Sequence, residues 1–348
     1  MPKILITGCL GFIGSHLITK LAKEKFHCEI YGLDIALNKR YHAKNITESK
    51  ELTALRKYRK SLVEPHCEKL YECDIRDMNE LAKTYCEVMP DIVVHLAAKA
   101  GVRDNVFKED YITTNILGTF NLLELASAYG TRSFIYASSS SVYRGDDLNA
   151  MSENDWGKTQ HNLYSASKLC DEILASTYES QLKLTGLRFF TVYGPAGRPD
   201  MACSKFTKTI LNSEVISLYN YGNNKRDFTY IDDVVEGIYR VIKDDAETNY
   251  ENTGHHIYNI GNGNPISTKE FVSTLGEILK EEHLIKEGFD FSSCFVLKSK
   301  IESEATYTWA DSTSFEARYG FLPHTNIVSG IKQFIEWYRE FYDARRVL

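Results

Sequence analysis

Through the first half of the chain, short apolar runs alternate with longer stretches whose hydrophobic positions repeat at helical spacing. Ile4–Thr7, Glu29–Leu33, Ile92–Leu96 and Ser133–Ala137 read as strands, and Ile13–Lys23 and Ile112–Tyr129 as amphipathic helices. Strand and helix in alternation predict an α/β fold built on a doubly wound parallel sheet. The segment Asn38–Glu64, rich in Lys, Arg and Glu, predicts a surface insertion carrying a helix between the second and third strands. Beyond Leu187–Val192 the pattern loosens into turn clusters at Tyr193–Asp200 and Tyr221–Asn224. Helices are expected near Lys205–Leu211, Ile231–Ile242, Thr268–Leu279 and Ile327–Phe341. Residues 1–190 therefore read as the sheet domain and 191–348 mainly as a smaller C-terminal α/β lobe folded against the carboxyl edge of the sheet, with the chain expected to pass between the two.

Composition narrows the possibilities further. A chain of 348 residues with 43% hydrophobic and 25% charged residues lies in the globular range. Its net charge of −6 offers no general attraction for nucleic acid or an anionic membrane. The eight cysteines form no CxxC pair and no Cys/His cluster at zinc spacing, so they read as reduced thiols and no metal is expected. The first strand pattern starts at Lys3, which leaves no room for a signal sequence, and no apolar run reaches membrane-spanning length. A soluble cytoplasmic protein is the expectation.

The strand Ile4–Thr7 runs directly into Gly8-Cys9-Leu10-Gly11-Phe12-Ile13-Gly14 and then into a helix. In that context the glycines have a physical purpose. They permit a tight turn and close approach of a pyrophosphate to the backbone, where the amides and positive dipole end of the helix meet its charge. Phe12 and Ile13 share this turn and are counted with the cofactor contacts. Asp34 lies 20 residues beyond Gly14, at the end of the second strand. A carboxylate there can bind both ribose hydroxyls and repels a 2′-phosphate, which favours NAD over NADP, with Lys39 and Arg40 close enough to soften that preference. Asp74 and Ile75 are placed to flank the adenine, and Leu96, Ala97 and Ala98 to line the cofactor at the end of the fourth strand. Together these features make the sheet domain Rossmann-type.

Tyr164-Ser165-Ala166-Ser167-Lys168 opens an amphipathic helix, so Tyr164 and Lys168 stand one turn apart on one face. An ammonium and a nicotinamide cation both favour the phenolate, which lets the tyrosine exchange a proton with a substrate hydroxyl. Upstream, Tyr136-Ala137-Ser138-Ser139-Ser140-Ser141-Val142-Tyr143 is a strand ending in hydroxyl residues at the carboxyl edge, where open α/β sheets bind their ligands.

In combination, the glycine turn, Asp34, the serine-rich strand end and YxxxK resemble the extended short-chain dehydrogenase/reductase family of NAD-dependent nucleotide-sugar epimerases and dehydratases, and within it the UDP-glucuronate 4-epimerases. The most specific stretches are His95–Arg103, Arg188–Ala202 and Tyr221–Asp233. The resemblance implies catalysis by Ser139, Tyr164 and Lys168, with Tyr193 among the cofactor contacts. It implies substrate contacts from Arg103, Ser140, Ser141, Thr191, Arg198 and Arg226, with Arg198 and Thr191 at the acid end of the sugar and Arg226 at the diphosphate. Dehydratases of the family resemble Asp-Glu at the positions of Ser140 and Ser141. Two serines cannot supply the acid and base that water elimination needs, so epimerisation is implied. The implied reaction is transient oxidation at C4 of a UDP-sugar, Tyr164 taking the hydroxyl proton, followed by reduction on the opposite face. A homodimer is implied as well, through Ile112–Tyr129 and Asn162–Gln181.

Three departures from the family pattern stand out: Lys99 where Gln is usual, Arg144 where Gly is usual, and Glu302-Ser303-Glu304 in place of a Pro-Gly-Asp turn. They leave open a 4-epimerase of UDP-glucose, UDP-N-acetylglucosamine or its uronic acid, and less readily a 4,6-dehydratase. From another class, an NAD-sensing binding protein without turnover is the rival.

Overall fold

In the computed structural model, which describes residues 1–35, 50–101, 108–143, 145, 148–155, 160, 162–248, 253–285, 294–301 and 304–346, the apolar runs assemble into a seven-stranded parallel sheet. The first half comprises β1 (Lys3–Thr7), α1 (Phe12–Lys23), β2 (Glu29–Asp34), α2 (Lys50–Val63), β3 (Lys69–Glu72), α3 (Met78–Val88) and β4 (Ile92–His95). It continues through α4 (Gly118–Ala128), β5 (Ser133–Ser139), α5 (Leu163–Ser176) and β6 (Lys183–Phe189). The chain then leaves the sheet through β7 (Thr191–Tyr193), α6 (Ala202–Leu211), β8 (Ile216–Leu218), β9 (Lys225–Arg226) and β10 (Phe228–Tyr230), and returns by α7 (Ile231–Glu247) to β11 (Gly254–Ile260). The smaller lobe is completed by β12 (Ile266–Ser267), α8 (Thr268–Glu281), β13 (Phe295–Leu297), α9 (Thr313–Tyr319) and α10 (Ile327–Arg346).

The strand order is β11-β6-β5-β4-β1-β2-β3, parallel throughout. Winding reverses between β1 and β4, so a crevice opens beyond their carboxyl ends, where sheets of this topology take ligands. Side chains alternate across the sheet as the strand period requires. Ile4, Ile6, Ile92, Val94 and Ile135 pack with α1 and α7 on one face, and Leu5, Val93, Phe134 and Tyr136 with α3 and α4 on the other. Truncating such a fully buried aliphatic side chain to alanine costs about 2–5 kcal/mol, so both layers hold the crevice rigid.

A boundary at residue 190 describes only the exit from β6. The sheet reclaims the later segment 231–260, because β11 pairs with β6 in the register Tyr258↔Leu187 and α7 packs against α1. Of the Asn38–Glu64 insertion, the described part is α2, which buries Leu55, Arg59 and Val63. Among the described residues, no helix is long and apolar enough to cross a membrane.

Candidate active site

At the carboxyl end of β1 the backbone turns back on itself in a way only glycine permits. Gly8 has φ +69°, and a Cβ there would lie 2.7 Å from Ala97 N at the end of β4. A Cβ on Gly14 would lie 2.3 Å from Gly8 O, the carbonyl that already accepts the Gly11 amide at 2.8 Å. Helix α1 then starts at Phe12 with Gly11 as its N-cap and no side-chain cap, which leaves its positive end to whatever anion sits above it. Asp34 is buried at the end of β2, where one carboxylate oxygen accepts the Leu10 amide at 2.9 Å and so holds the turn. This cradle, with Phe12 and Ile13 half-buried at its rim, fits a dinucleotide pyrophosphate and ribose.

The other candidate cofactor positions follow the carboxyl ends of β3 and β4. Leu96 N donates to Thr7 O at 3.2 Å and Ala97 N to the Thr7 hydroxyl at 3.2 Å, which locks the Leu96-Ala97-Ala98 segment beside the glycine turn. Asp74 is turned toward Arg76 in a two-pronged pair, with contacts of 2.7 and 2.9 Å. Ile75 is buried over Gly118 at the start of α4. Tyr193 is the exception, because its ring is packed among Phe228, Tyr230 and Phe271, and its hydroxyl points at Gly330 in the smaller lobe. Tyr193 nonetheless lines the pocket it shares with Phe12.

The catalytic candidates sit at the next strand. Asn162 and Ser165 form a capping box that starts α5, placing Tyr164 in its first turn and Lys168 one turn later. The Lys168 ammonium is almost fully buried and donates to Ala137 O on β5 and to Asp171 Oδ2, each at 3.0 Å. Two residues beyond Ala137, Ser139 caps a 3-10 turn, Ser140–Val142, its Oγ accepting the Ser141 amide at 3.1 Å. The Ser141 hydroxyl is buried without a hydrogen-bond partner among the described residues. Behind this corner, Arg188 on β6 grips Glu172 on α5 through two contacts of 2.8 Å, and Ser138 donates to the same carboxylate at 2.5 Å. The pair fixes the roll of α5, hence which face carries Tyr164 and Lys168.

Substrate candidates come from the smaller lobe. Thr191 and Arg198 line one pocket with Phe12, Gly194 and Met201, so this lobe meets the glycine turn directly. Arg198 is partly exposed and forms a fork on Asp200, at 2.6 and 3.0 Å. Arg226 lies on β9, where its guanidinium donates to Lys225 O at 2.9 Å. Arg103, Arg144, Lys39, Arg40, Glu302 and Ser303 lie outside the described residues. The backbone N–H and C=O of Lys99 both bond the Asn115 side chain.

Residues 4–261 match the model of the NAD dependent epimerase/dehydratase family. The chain belongs to that family. Among its relatives, Protein CapI of Staphylococcus aureus is 37% identical over 98% of this chain and 99% of its own length. UDP-glucuronate 4-epimerase 2 of Arabidopsis thaliana is 36% identical over 97% of this chain and 76% of its own length. The crystal structure of UDP-glucuronic acid 4-epimerase from Bacillus cereus, in complex with UDP-glucuronic acid and NAD, superposes with a TM-score of 0.82 at 30% identity, covering 98% of this chain and all of that one.

Two further residues of this epimerase/dehydratase chain shape the crevice without having drawn notice in the sequence. Asn115, fully buried, sits in a π-helical turn, Tyr111–Leu117, that precedes α4. Its amide clamps the Lys99 backbone and donates to Ser167 on α5 at 2.8 Å, tying the segment after β4 to the helix of Tyr164 and Lys168. The wide π turn is what lets one side chain reach both, a use often found at functional sites. An asparagine inside an otherwise apolar helical stretch was the available signal. Arg59 of α2 donates to Leu10 O at 3.3 Å and to Ala196 O at 2.6 Å, bridging the glycine turn and the loop of Arg198. Burial pulls the Arg59 guanidinium down to about 10. It lay in a run of surface-like charges, and nothing in the pattern distinguished it from its neighbours.

Proposed function

We propose that this protein is an NAD-dependent UDP-sugar 4-epimerase that interconverts UDP-glucuronic acid and UDP-galacturonic acid. When bound, NAD supplies the reversible hydride acceptor that oxidation and re-reduction at C4 require. Gly8, Gly11, Gly14 and the start of α1 would hold its pyrophosphate, and Asp34 its adenosine ribose. Tyr164 takes the proton of the C4 hydroxyl, Ser139 shares that hydrogen bond, and the Lys168 charge favours the phenolate. After the sugar has turned about its diphosphate linkage, Tyr164 would return the proton to the C4 oxygen as the hydride comes back to the opposite face of C4, which completes the epimerisation. Ser140 and Ser141, both hydroxyls, bring no acid–base pair for eliminating water.

One observation carries the choice of a uronic acid. Arg198 and Thr191 line the same pocket as Phe12 at the glycine turn, and Arg198 already holds one carboxylate, that of Asp200, in a two-pronged contact that a uronic acid can take over. Relatives named as UDP-glucuronate 4-epimerases match over almost the whole chain, which supports the same substrate. Incubation with UDP-glucuronic acid and a little NAD, without another redox partner, is expected to give an equilibrium mixture containing UDP-galacturonic acid by NMR of the anomeric protons. Turnover of a neutral or N-acetylated UDP-sugar instead would transfer the activity to that substrate. A Tyr164→Phe variant should lose activity at least about a thousandfold while still binding NAD.

The homodimer belongs to this proposal. Ile112, Leu117 and Phe120 on one helical stretch and Ile173 on α5, 38–55% exposed, form apolar faces on elements that pack against each other. Light scattering should return twice the chain mass. The eight free cysteines suit a reducing cytoplasm.

A further inference from the structure

The Lys168–Asp171 ion pair lies deep in the catalytic corner, its side chains only 3% and 1% exposed. A buried charge pair of this kind costs desolvation, and Lys168 already has a backbone acceptor in Ala137 O. Its presence there calls for a role.

The carboxylate stands at one end of a chain of polar groups that reaches back to the cofactor turn. Burial pushes the Asp171 carboxyl above its usual range while Lys168 and Thr119 on α4 pull against it, and the Thr119 hydroxyl bonds His95 Nε2 at 3.0 Å. His95 Nδ1 bonds the Thr7 hydroxyl at 2.7 Å, and Thr7 also takes the Ala97 amide beside Gly8. The charged and titratable groups around Asp171 are Lys168, Cys170 and Glu172 on α5, His95 on β4 and Tyr136 on β5. Among them Lys168 alone is a cation.

We propose that Asp171 is a positioning residue for the catalytic pair: through their 3.0 Å contact it fixes the Lys168 ammonium in a corner that water does not reach. The inference deepens the epimerase reading and rests on it for the roles of Tyr164 and Lys168. Without the carboxylate, the ammonium would face only Ala137 O in a site that penalises its charge. Held by one acceptor, it would no longer be fixed beside Tyr164, and the phenolate would lose its partner.

The test uses Asp171→Asn, Lys168→Met and the double variant of the full chain. Each single change strands one buried polar partner, so both are expected to lower the melting temperature, and the double variant to melt above Lys168→Met. Shifts that simply add, with the double variant melting lowest, would overturn the pairing. For Asp171→Asn, kcat should fall about tenfold or more with KM for the nucleotide sugar within about twofold of wild type. One limb of its pH profile should move by about one unit or more, because the catalytic pair is no longer held together. An unshifted limb beside a lowered melting temperature would reduce Asp171 to a structural residue. If Asp171→Asn does not fold, recovery of folding in the double variant supports the pairing and its absence refutes it. The thermal cycle reads the pairing whether or not the wild type turns over UDP-glucuronic acid, so failure of the substrate reading is distinguishable from failure of this one.

Discussion

Around Gly8–Gly14 the crevice is made of backbone, with amides, carbonyls and the start of a helix locked by one buried carboxylate, whereas from Thr191 to Met201 it is made of side chains that can let go. Asp34 is 8% exposed and bonded into the turn it supports. Arg198, by contrast, is 25% exposed and its partner Asp200 is 53% exposed, so their fork is screened by water and exchanges readily for another carboxylate. The difference separates two tasks. A cofactor that stays through both half-reactions is served by a rigid cradle. A sugar that must turn over between them is served by contacts that can break and re-form.

The comparison can be attacked first at its rigid end. Gly14→Ala would place a methyl 2.3 Å from Gly8 O, forcing the turn open. Destabilisation of about 1–3 kcal/mol is expected, together with near-complete loss of NAD binding in calorimetry. Unchanged NAD affinity would mean that the cradle is more pliable than its packing implies.

Acid should loosen the same end. Burial, aided by the Lys168 charge, pulls the His95 imidazole from its usual range down to about 3, so the folded protein holds it neutral. A depressed histidine contributes full stability above about pH 6.5 and loses it as pH falls toward the folded value, at about 1.4 kcal/mol per pH unit. Urea midpoints measured from pH 7 to pH 4 should fall accordingly, and a His95→Gln variant should show a shallower decline.

At the adaptable end the effects are smaller and confined to substrate. Arg198→Ala should raise KM for UDP-glucuronic acid about 30- to 100-fold, as loss of a charge-assisted fork would. Melting temperature and NAD affinity should stay near wild type. Asp200→Asn should be smallest of all, within about 1 kcal/mol in stability, with KM unchanged or slightly lowered because Arg198 no longer has an internal competitor. A large loss on Asp200→Asn would show that the pair orients the loop and is not merely a surface contact.

What the sequence disclosed follows the same division. The strands, the glycine turn and the placement of Tyr164 and Lys168 were legible because each depends on local pattern: alternation, residues that demand φ > 0, a capped helix with one-turn spacing. Asn115, Arg59 and Asp171 were not, since each acts through a partner distant in sequence or through burial that only the assembled layers create. Arg59 reaches across 137 residues to Ala196. Tyr193 illustrates the reverse. It lies in a motif-bearing stretch beside the crevice, yet the alternation of β7 sends its ring into the core of the smaller lobe.

The return of the chain through α7 to β11 also sets an order of events during synthesis. Until residue 260 has left the ribosome, β6 has a bare edge, and Leu184 and Leu187 flank a row of unpaired amides and carbonyls. A nascent chain with all of Ser139, Tyr164 and Lys168 already made is therefore still an open-edged sheet, prone to pair with its neighbours on a crowded polysome. The last strand of the sheet, rather than the last residue of the site, marks the moment at which this protein becomes safe from aggregation.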